Sequence, residues 1–242
     1  MPGVRAAAPR LWLFDIDGTL VPQSADQLDA WVAVFRTSYS LAVTPAEIAP
    51  HLGQTFAGVV QAVVADRGGQ ATSSSIPQDL AVYLAHVCAG LSARPATLLP
   101  GARDCLEFLK QRGEWVGVVT GNFREEGDLK LRATGLLPLL DVVTYADLAT
   151  PARAALVRRA ARTARARGFP NDLPEVVVVG DSIHDVTSAH GNGAVAIAVC
   201  TGATPGERLA TAGPDLLLSD LPELLSRLRR AEVPWLLSAH PV

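Results

Sequence analysis

The stretch Leu11-Trp12-Leu13-Phe14-Asp15-Ile16-Asp17-Gly18-Thr19-Leu20 runs from continuous apolar residues into two acids and a glycine. A short, unbroken apolar run of this kind reads as a strand buried on both faces, as in a parallel sheet. Its two carboxylates, two residues apart at the strand end, emerge near the crevice where open α/β sheets bind ligands. Gly18 lets the chain turn away sharply behind them. Burying two acids side by side is costly unless a cation or hydrogen bonds neutralise them, and solvated turn aspartates would need a more exposed loop than this one.

Working outward, similar apolar runs recur at Trp115 to Thr120, Asp141 to Tyr145, Glu175 to Gly180 and Ala194 to Val199, with a weaker one at Asp215 to Leu218. Helical patterns lie between them, at Gly101 to Arg112, Arg124 to Thr134, Pro151 to Arg167 and Ile183 to Gly191. Strand alternating with helix argues for an α/β fold with a parallel sheet covered on both faces. The first strand breaks the rhythm, because residues 22–98 carry helix-type periodicity at Leu28 to Tyr39, Phe56 to Ala65 and Leu80 to Leu91. They read as an inserted all-helical subdomain, with the return at Leu99-Pro100-Gly101. The expected division is a core of residues 10–21 and 99–230, a helical insertion at 22–98, and tails at 1–9 and 231–242.

Composition fits that picture. With 242 residues, 49% of them hydrophobic and 19% charged, the chain is long enough to bury a full core. A formal charge of −3 gives no pull toward nucleic acid or an anionic membrane. Six arginines crowd Pro151 to Arg167, yet Leu156, Ala160, Ala161 and Ala164 can face the sheet while the arginines stay in water. No aromatic residues are interleaved with them, so no nucleic-acid partner is expected. Cys88, Cys105 and Cys200 are far apart and in no metal-ligand spacing, and read as reduced, mostly packed side chains. No apolar run long enough for a signal peptide or membrane span precedes the first strand, so the expectation is a cytoplasmic protein, monomer or homodimer. Only two lysines, Lys110 and Lys130, stand against nineteen arginines, which narrows where a lysine could do chemistry.

Two further segments fall at predicted strand ends. Val179-Gly180-Asp181-Ser182-Ile183-His184-Asp185 closes an apolar strand with one acid and opens a helix with another. Asp185 has the position of a helix-capping residue, favoured by the macrodipole. Together with Asp181 and the first acid pair it also offers the hard oxygen ligands that magnesium requires. His184 reads as a surface or loop residue, since imidazole is not magnesium's preferred partner. Val118-Val119-Thr120-Gly121-Asn122 places a hydroxyl and free backbone N–H groups at a strand-to-helix turn, a ready cradle for a phosphoryl oxygen.

On these residues the chain resembles the haloacid dehalogenase superfamily, in the phosphatase branch that includes phosphoglycolate phosphatases. Asp15-Ile16-Asp17-Gly18-Thr19 matches the first motif, Thr120 the second, and Gly180-Asp181 to Asp185 the acidic fourth motif, the likeness covering residues 10 to 230. The resemblance implies a Rossmann-like three-layer core with an all-helical cap closing over the site. It also implies a magnesium-dependent phosphatase of small phosphorylated metabolites, of phosphoglycolate or sugar-phosphate type, working through an aspartyl-phosphate. Asp15 would be the nucleophile and Asp17 the general acid and base. Magnesium would be held by the Asp15 carboxylate, the Asp17 main-chain carbonyl and Asp181, with Asp185 as a ligand or just behind one. Thr120, Gly121 and Asn122 would bind the phosphoryl group. The sequence departs from the family at the third motif, where a lysine is usual. None follows Lys130, so the active-site cation falls to Arg153 or Lys130.

Rival functions remain on the same residues. Asp17 argues against 2-haloacid dehalogenation, which needs no proton donor there, and the absence of lysine from 22–98 argues against phosphonate hydrolysis through a Schiff base. A sugar-phosphate mutase differs only in how long the phosphoenzyme excludes water. A non-catalytic binding module would leave the intact acids at 15, 17 and 181 unexplained.

Overall fold

The computed structural model describes residues 9–150, 152–169 and 176–236. Pro151 and Glu175, read as the first residues of a helix and a strand, lie outside them, as do residues 1–8 and 237–242 of the two tails. Six strands form one sheet: β1 (Leu11–Phe14), β2 (Trp115–Val119), β3 (Val142–Thr144), β4 (Val176–Gly180), β5 (Val195–Val199) and β6 (Leu216–Leu218). The helices are α1 (Ala25–Tyr39), α2 (Pro45–Ile48), α3 (Phe56–Asp66), α4 (Ile76–Ala93), α5 (Ala102–Gln111), α6 (Arg124–Ala133), α7 (Arg153–Ala166), α8 (Ile183–His190), α9 (Gly206–Thr211) and α10 (Leu221–Arg229).

All strand pairs are parallel, in the order β3-β2-β1-β4-β5-β6. Chain order runs one way from β1 to β3 and the other way from β4 to β6, so the switch point lies between β1 and β4. Register carries the site: Phe14 stands opposite both Val118 and Val179, and the three central strands therefore end together. Along β1 the side chains alternate between two cores. Trp12 and Phe14 join Leu106, Leu109, Leu224 and Leu228 of α5 and α10 on one face. On the other face, Leu11 and Leu13 join Leu156, Val157, Ala160, Val186 and Ala189 of α7 and α8. This is the expected three-layer Rossmann-like core. On α7, Leu156, Ala160, Ala161 and Ala164 are buried, and Arg158, Arg162, Arg165 and the following Arg167 are exposed, but Arg153 is buried and Arg159 half-buried, so two of the six arginines leave the water because they meet acids and backbone oxygens.

The insertion is helical and has a core of its own, built on Trp31, Val34, Phe35, Val60, Tyr83 and Val87. Ser24 starts α1 by accepting from Gln27 N at 3.1 Å, and Thr55 starts α3 by accepting from Gly58 N at 3.3 Å. Phe123, from the turn after β2, is buried in this same cluster, which fastens the insertion over the carboxyl ends of the strands. The two connections to the core run together, Leu99 N donating to Leu20 O at 2.9 Å.

Several short elements went unread in the sequence: α2 with the 3-10 turn Ala49–His51, α9 and α10. The stretch taken as tail is also more than that. Val233 and Leu236 are buried in the larger core cluster, anchored by a 3-10 turn at Pro234–Leu236. Two apolar residues three apart are too few to show a period. Of the cysteines, all free, Cys105 is buried and Cys88 half-buried, but Cys200 is exposed rather than packed.

Candidate active site

Asp15 continues β1 by one residue, its N–H donating to Val179 O at 2.9 Å, so its carboxylate leaves the sheet at the switch point. There it meets Asp181, from the end of β4, and Asp185, from the first turn of α8. One carboxylate oxygen from each of the three lies within 4.8 Å of the others, and all three residues are buried. Close packing of backbone makes room for them. Gly18, at φ +76°, turns the chain so tightly that a Cβ would lie 2.5 Å from Asp181 Oδ2. After β5, a Cβ on Gly202 would lie 1.7 Å from the same oxygen. Thr19 Oγ1 donates to the other oxygen of Asp181 at 3.1 Å.

Asp185 serves two purposes. Its Oδ2 accepts from Ser182 N at 3.1 Å and Ser182 Oγ at 2.6 Å, closing a capping box at the start of α8. Its Oδ1 faces the cluster and lies 2.6 Å from Arg153 Nη2, which is also 2.8 Å from Asp15 Oδ1. One nitrogen serves both oxygens as an ion pair, and the two buried oxygens have no hydrogen-bond partner among the described residues.

These surroundings perturb Asp15, Asp181 and Arg153. Burial pushes the Asp15 carboxyl up to about 7, with Arg153 opposing and the charges of Asp185 and Asp17 adding to the rise. Asp181 is driven well above the carboxylate range by burial and then by Asp15 and Asp185. Arg153 is held more firmly protonated than usual, Asp15 and Asp185 outweighing its burial. His184 lies just outside the cluster, and burial together with the Arg153 charge lowers its pKa.

The donor set suits a hard divalent cation: three carboxylates, no sulfur or imidazole, and two oxygens without a hydrogen bond. Asp17 stands apart from it. Its carboxylate turns to Lys130 Nζ, at 2.6 and 2.8 Å, and accepts from Asn122 Nδ2 at 2.7 Å. Lys130 is buried and also contacts Glu126 Oε1 at 2.6 Å, the two acids holding it protonated against its burial. Arg153 and Lys130, read as competing candidates, thus sit on different acids: Arg153 on Asp15, Lys130 on Asp17.

Thr120 and Gly121 line the same cleft, Thr120 Oγ1 accepting from Asn122 N at 3.1 Å. Three residues around Lys130 escaped the sequence reading. Glu126, buried, accepts from Tyr83 Oη at 3.1 Å and Gln27 Nε2 at 3.0 Å, so α4 and α1 of the insertion are tied to α6 of the core. The i,i+4 spacing of Glu126 and Lys130 was the available signal, and on a helix of mostly charged residues it reads as a surface pair.

A three-layer parallel fold with acids from β1, β4 and α8 meeting an inserted helical lobe defines a class of hydrolase. The sequence matches the family described as haloacid dehalogenase-like hydrolase over residues 12–199, and the chain belongs to that family. Within it, the likeness is to phosphoglycolate phosphatases. One from Caulobacter vibrioides is 28% identical over 85% of this chain and 84% of its own length. Another, from Cereibacter sphaeroides, is 30% identical over 80% of this chain and 82% of its own. A hydrolase from Pseudomonas syringae shares the fold with a TM-score of 0.79 at 20% identity, over 91% of this chain and 98% of that one.

Proposed function

We propose that this protein hydrolyses small phosphate monoesters, with magnesium and an aspartyl-phosphate intermediate. The observation that carries the reading is the separation of two strand-end acids into different environments. Asp15 sits in the acid cluster beside Arg153, and Asp17 sits against Lys130 and Asn122. Asp15 attacks phosphorus and the bond to the leaving oxygen breaks, leaving the phosphoryl group on the carboxylate. Asp17 gives a proton to the leaving oxygen, then takes one from the water that releases phosphate. Arg153 steadies the attacking carboxylate and the phosphoryl charge. Thr120, Gly121 and Asn122 form the turn that receives a phosphoryl oxygen, with Asn122 also orienting Asp17. Asp15, Asp181, Asp185 and the main-chain carbonyl of Asp17 would hold the magnesium ion, which when bound offsets the repulsion between carboxylates and phosphate.

The relatives named as phosphatases support this class of substrate, and the unpaired cysteines support a reducing, cytoplasmic setting. Release of inorganic phosphate from a panel of esters with magnesium tests the reading. The protein is expected to be active, and Asp15→Asn to fold and lose essentially all turnover. Full activity in Asp15→Asn would overturn the mechanism.

A further inference from the structure

The cleft has two ends of different chemistry. One end holds the acids, Arg153 and the Thr120–Gly121 turn; the other is walled by the insertion. That wall is lined by Trp31, Phe56 and Tyr83, by Gln23 and Gln27, and, from α6, by Glu126. The aromatic rings pack on one another, Trp31 at 4.8 Å from Phe56 and 4.7 Å from Tyr83 between centroids, so the wall is firm.

Charge at this far end runs one way. Among the described residues lining the cleft, Arg153 is the one cation, and it is engaged by Asp15 and Asp185. The insertion's own cations are placed elsewhere. Arg67 pairs with Glu47, Arg94 with Asp26 and His51 with Asp66, while Arg36 and His86 are exposed away from the lining. Lys130, behind the wall, is shared between Asp17 and Glu126. One lysine for two acids leaves no positive charge to spare, and with Glu126 protonated the lysine is still spent on Asp17. A second anionic group, carried on the alcohol part of a substrate, would therefore be desolvated next to carboxylates with no cation to meet it.

We infer that the substrates are phosphate monoesters of uncharged alcohols with an apolar or hydroxylated body, and that esters carrying a second anion on the alcohol, 2-phosphoglycolate among them, are poor substrates. The inference rests on the phosphatase reading above and narrows it. The wall offers aromatic side chains to an apolar body and the half-exposed Gln23 to a hydroxyl.

A matched pair of esters tests it. 2-Hydroxyethyl phosphate and 2-phosphoglycolate share the phosphoryl group, the primary C–O bond and a two-carbon body, and differ in an alcohol against a carboxylate. With the full chain at constant free magnesium, kcat/KM from phosphate release is expected to favour 2-hydroxyethyl phosphate by at least about tenfold, with benzyl phosphate also accepted. Gln23→Arg, which puts a cation into the wall, is expected to shift the ratio toward 2-phosphoglycolate by at least about tenfold, mainly through KM. Equal or better turnover of 2-phosphoglycolate by the unaltered protein overturns the inference and leaves the phosphatase reading standing. A ratio unmoved by Gln23→Arg also counts against it. No turnover of any ester, neutral or charged, overturns the phosphatase reading and the inference with it.

Discussion

Two buried cations divide the work that a single lysine is expected to do in this family. Arg153 lies 2.8 Å from Asp15 Oδ1 and Lys130 2.6 Å from Asp17 Oδ1, so removing either one should impair a different step. Arg153→Ala leaves Asp15, Asp181 and Asp185 with no side-chain cation and is expected to lower turnover of every ester by at least about tenfold, some 1.4 kcal/mol of transition-state stabilisation. Arg153→Lys should keep part of the activity, since the ammonium retains the charge but not the planar, permanently protonated fork. Lys130→Ala releases Asp17 from its anchor. Its loss should therefore be larger for alkyl esters, whose leaving oxygen needs a proton, than for nitrophenyl phosphate, whose leaving group does not. Single-turnover rates on both kinds of ester separate the two variants. Equal losses across leaving groups in Lys130→Ala would remove Lys130 from the proton-transfer step.

At the scale of elements, the strand ends were legible because buried parallel strands announce themselves as unbroken apolar runs, and an acid directly after such a run has few places to go. Asp15, Asp17 and Asp181 are candidate site residues on that ground, and Thr120 is one because its hydroxyl stands at the same kind of strand end. Glu126 is not, because α6 reads Arg-Glu-Glu-Gly-Asp-Leu-Lys-Leu-Arg-Ala and its inward face is as charged as its outward one. Only the docked helices of the insertion turn that face into an interior. Gly202 was equally silent: nothing in Cys200-Thr201-Gly202 marks a site, and its role comes from how near the loop after β5 passes to Asp181. That closeness is testable. Gly202 does not need a left-handed backbone, and the atoms nearest to a methyl added in Gly202→Ala belong to the Asp181 side chain, with Oδ2 1.7 Å from the added carbon. The carboxylate or the loop must move. A folded variant whose magnesium affinity falls by at least about tenfold in a calorimetric titration is expected, the scale seen when groups that position metal ligands are disturbed. Unchanged affinity would mean that Asp181 has freedom the fold does not suggest, or no part in binding the ion.

For the molecule as a whole, the site is a fault line in its stability. Asp15 titrates at about 7 in the folded protein against 3.8 ordinarily, and Asp181 is also raised. In the range between the ordinary and the raised values the folded chain holds more protons than the unfolded one, so both groups make stability fall as pH rises, the cost from Asp15 being fully present above about 7. Surface carboxylates such as Glu47 and Glu223, held down to about 2 by hydrogen bonds to backbone N–H groups, act in the opposite sense, but their contribution is lost only as pH falls below the unfolded value. His184, lowered by burial, gains stability as pH rises past its folded value and partly offsets the acids. A divalent cation replaces the protons on the acid cluster and so binds the folded form more strongly where the cluster is ionised. Magnesium should accordingly raise Tm more at about pH 8 than at about pH 5.5, because at the lower pH it must first displace protons. Asp181→Asn takes one charge out of the cluster; its Tm without metal at the higher pH should exceed that of the unaltered protein, and its response to magnesium should shrink. Thermal melts of both proteins at the two pH values, with and without magnesium, give all the quantities needed. A magnesium shift of the same size at both pH values would show that the three acids are not the groups through which the ion acts.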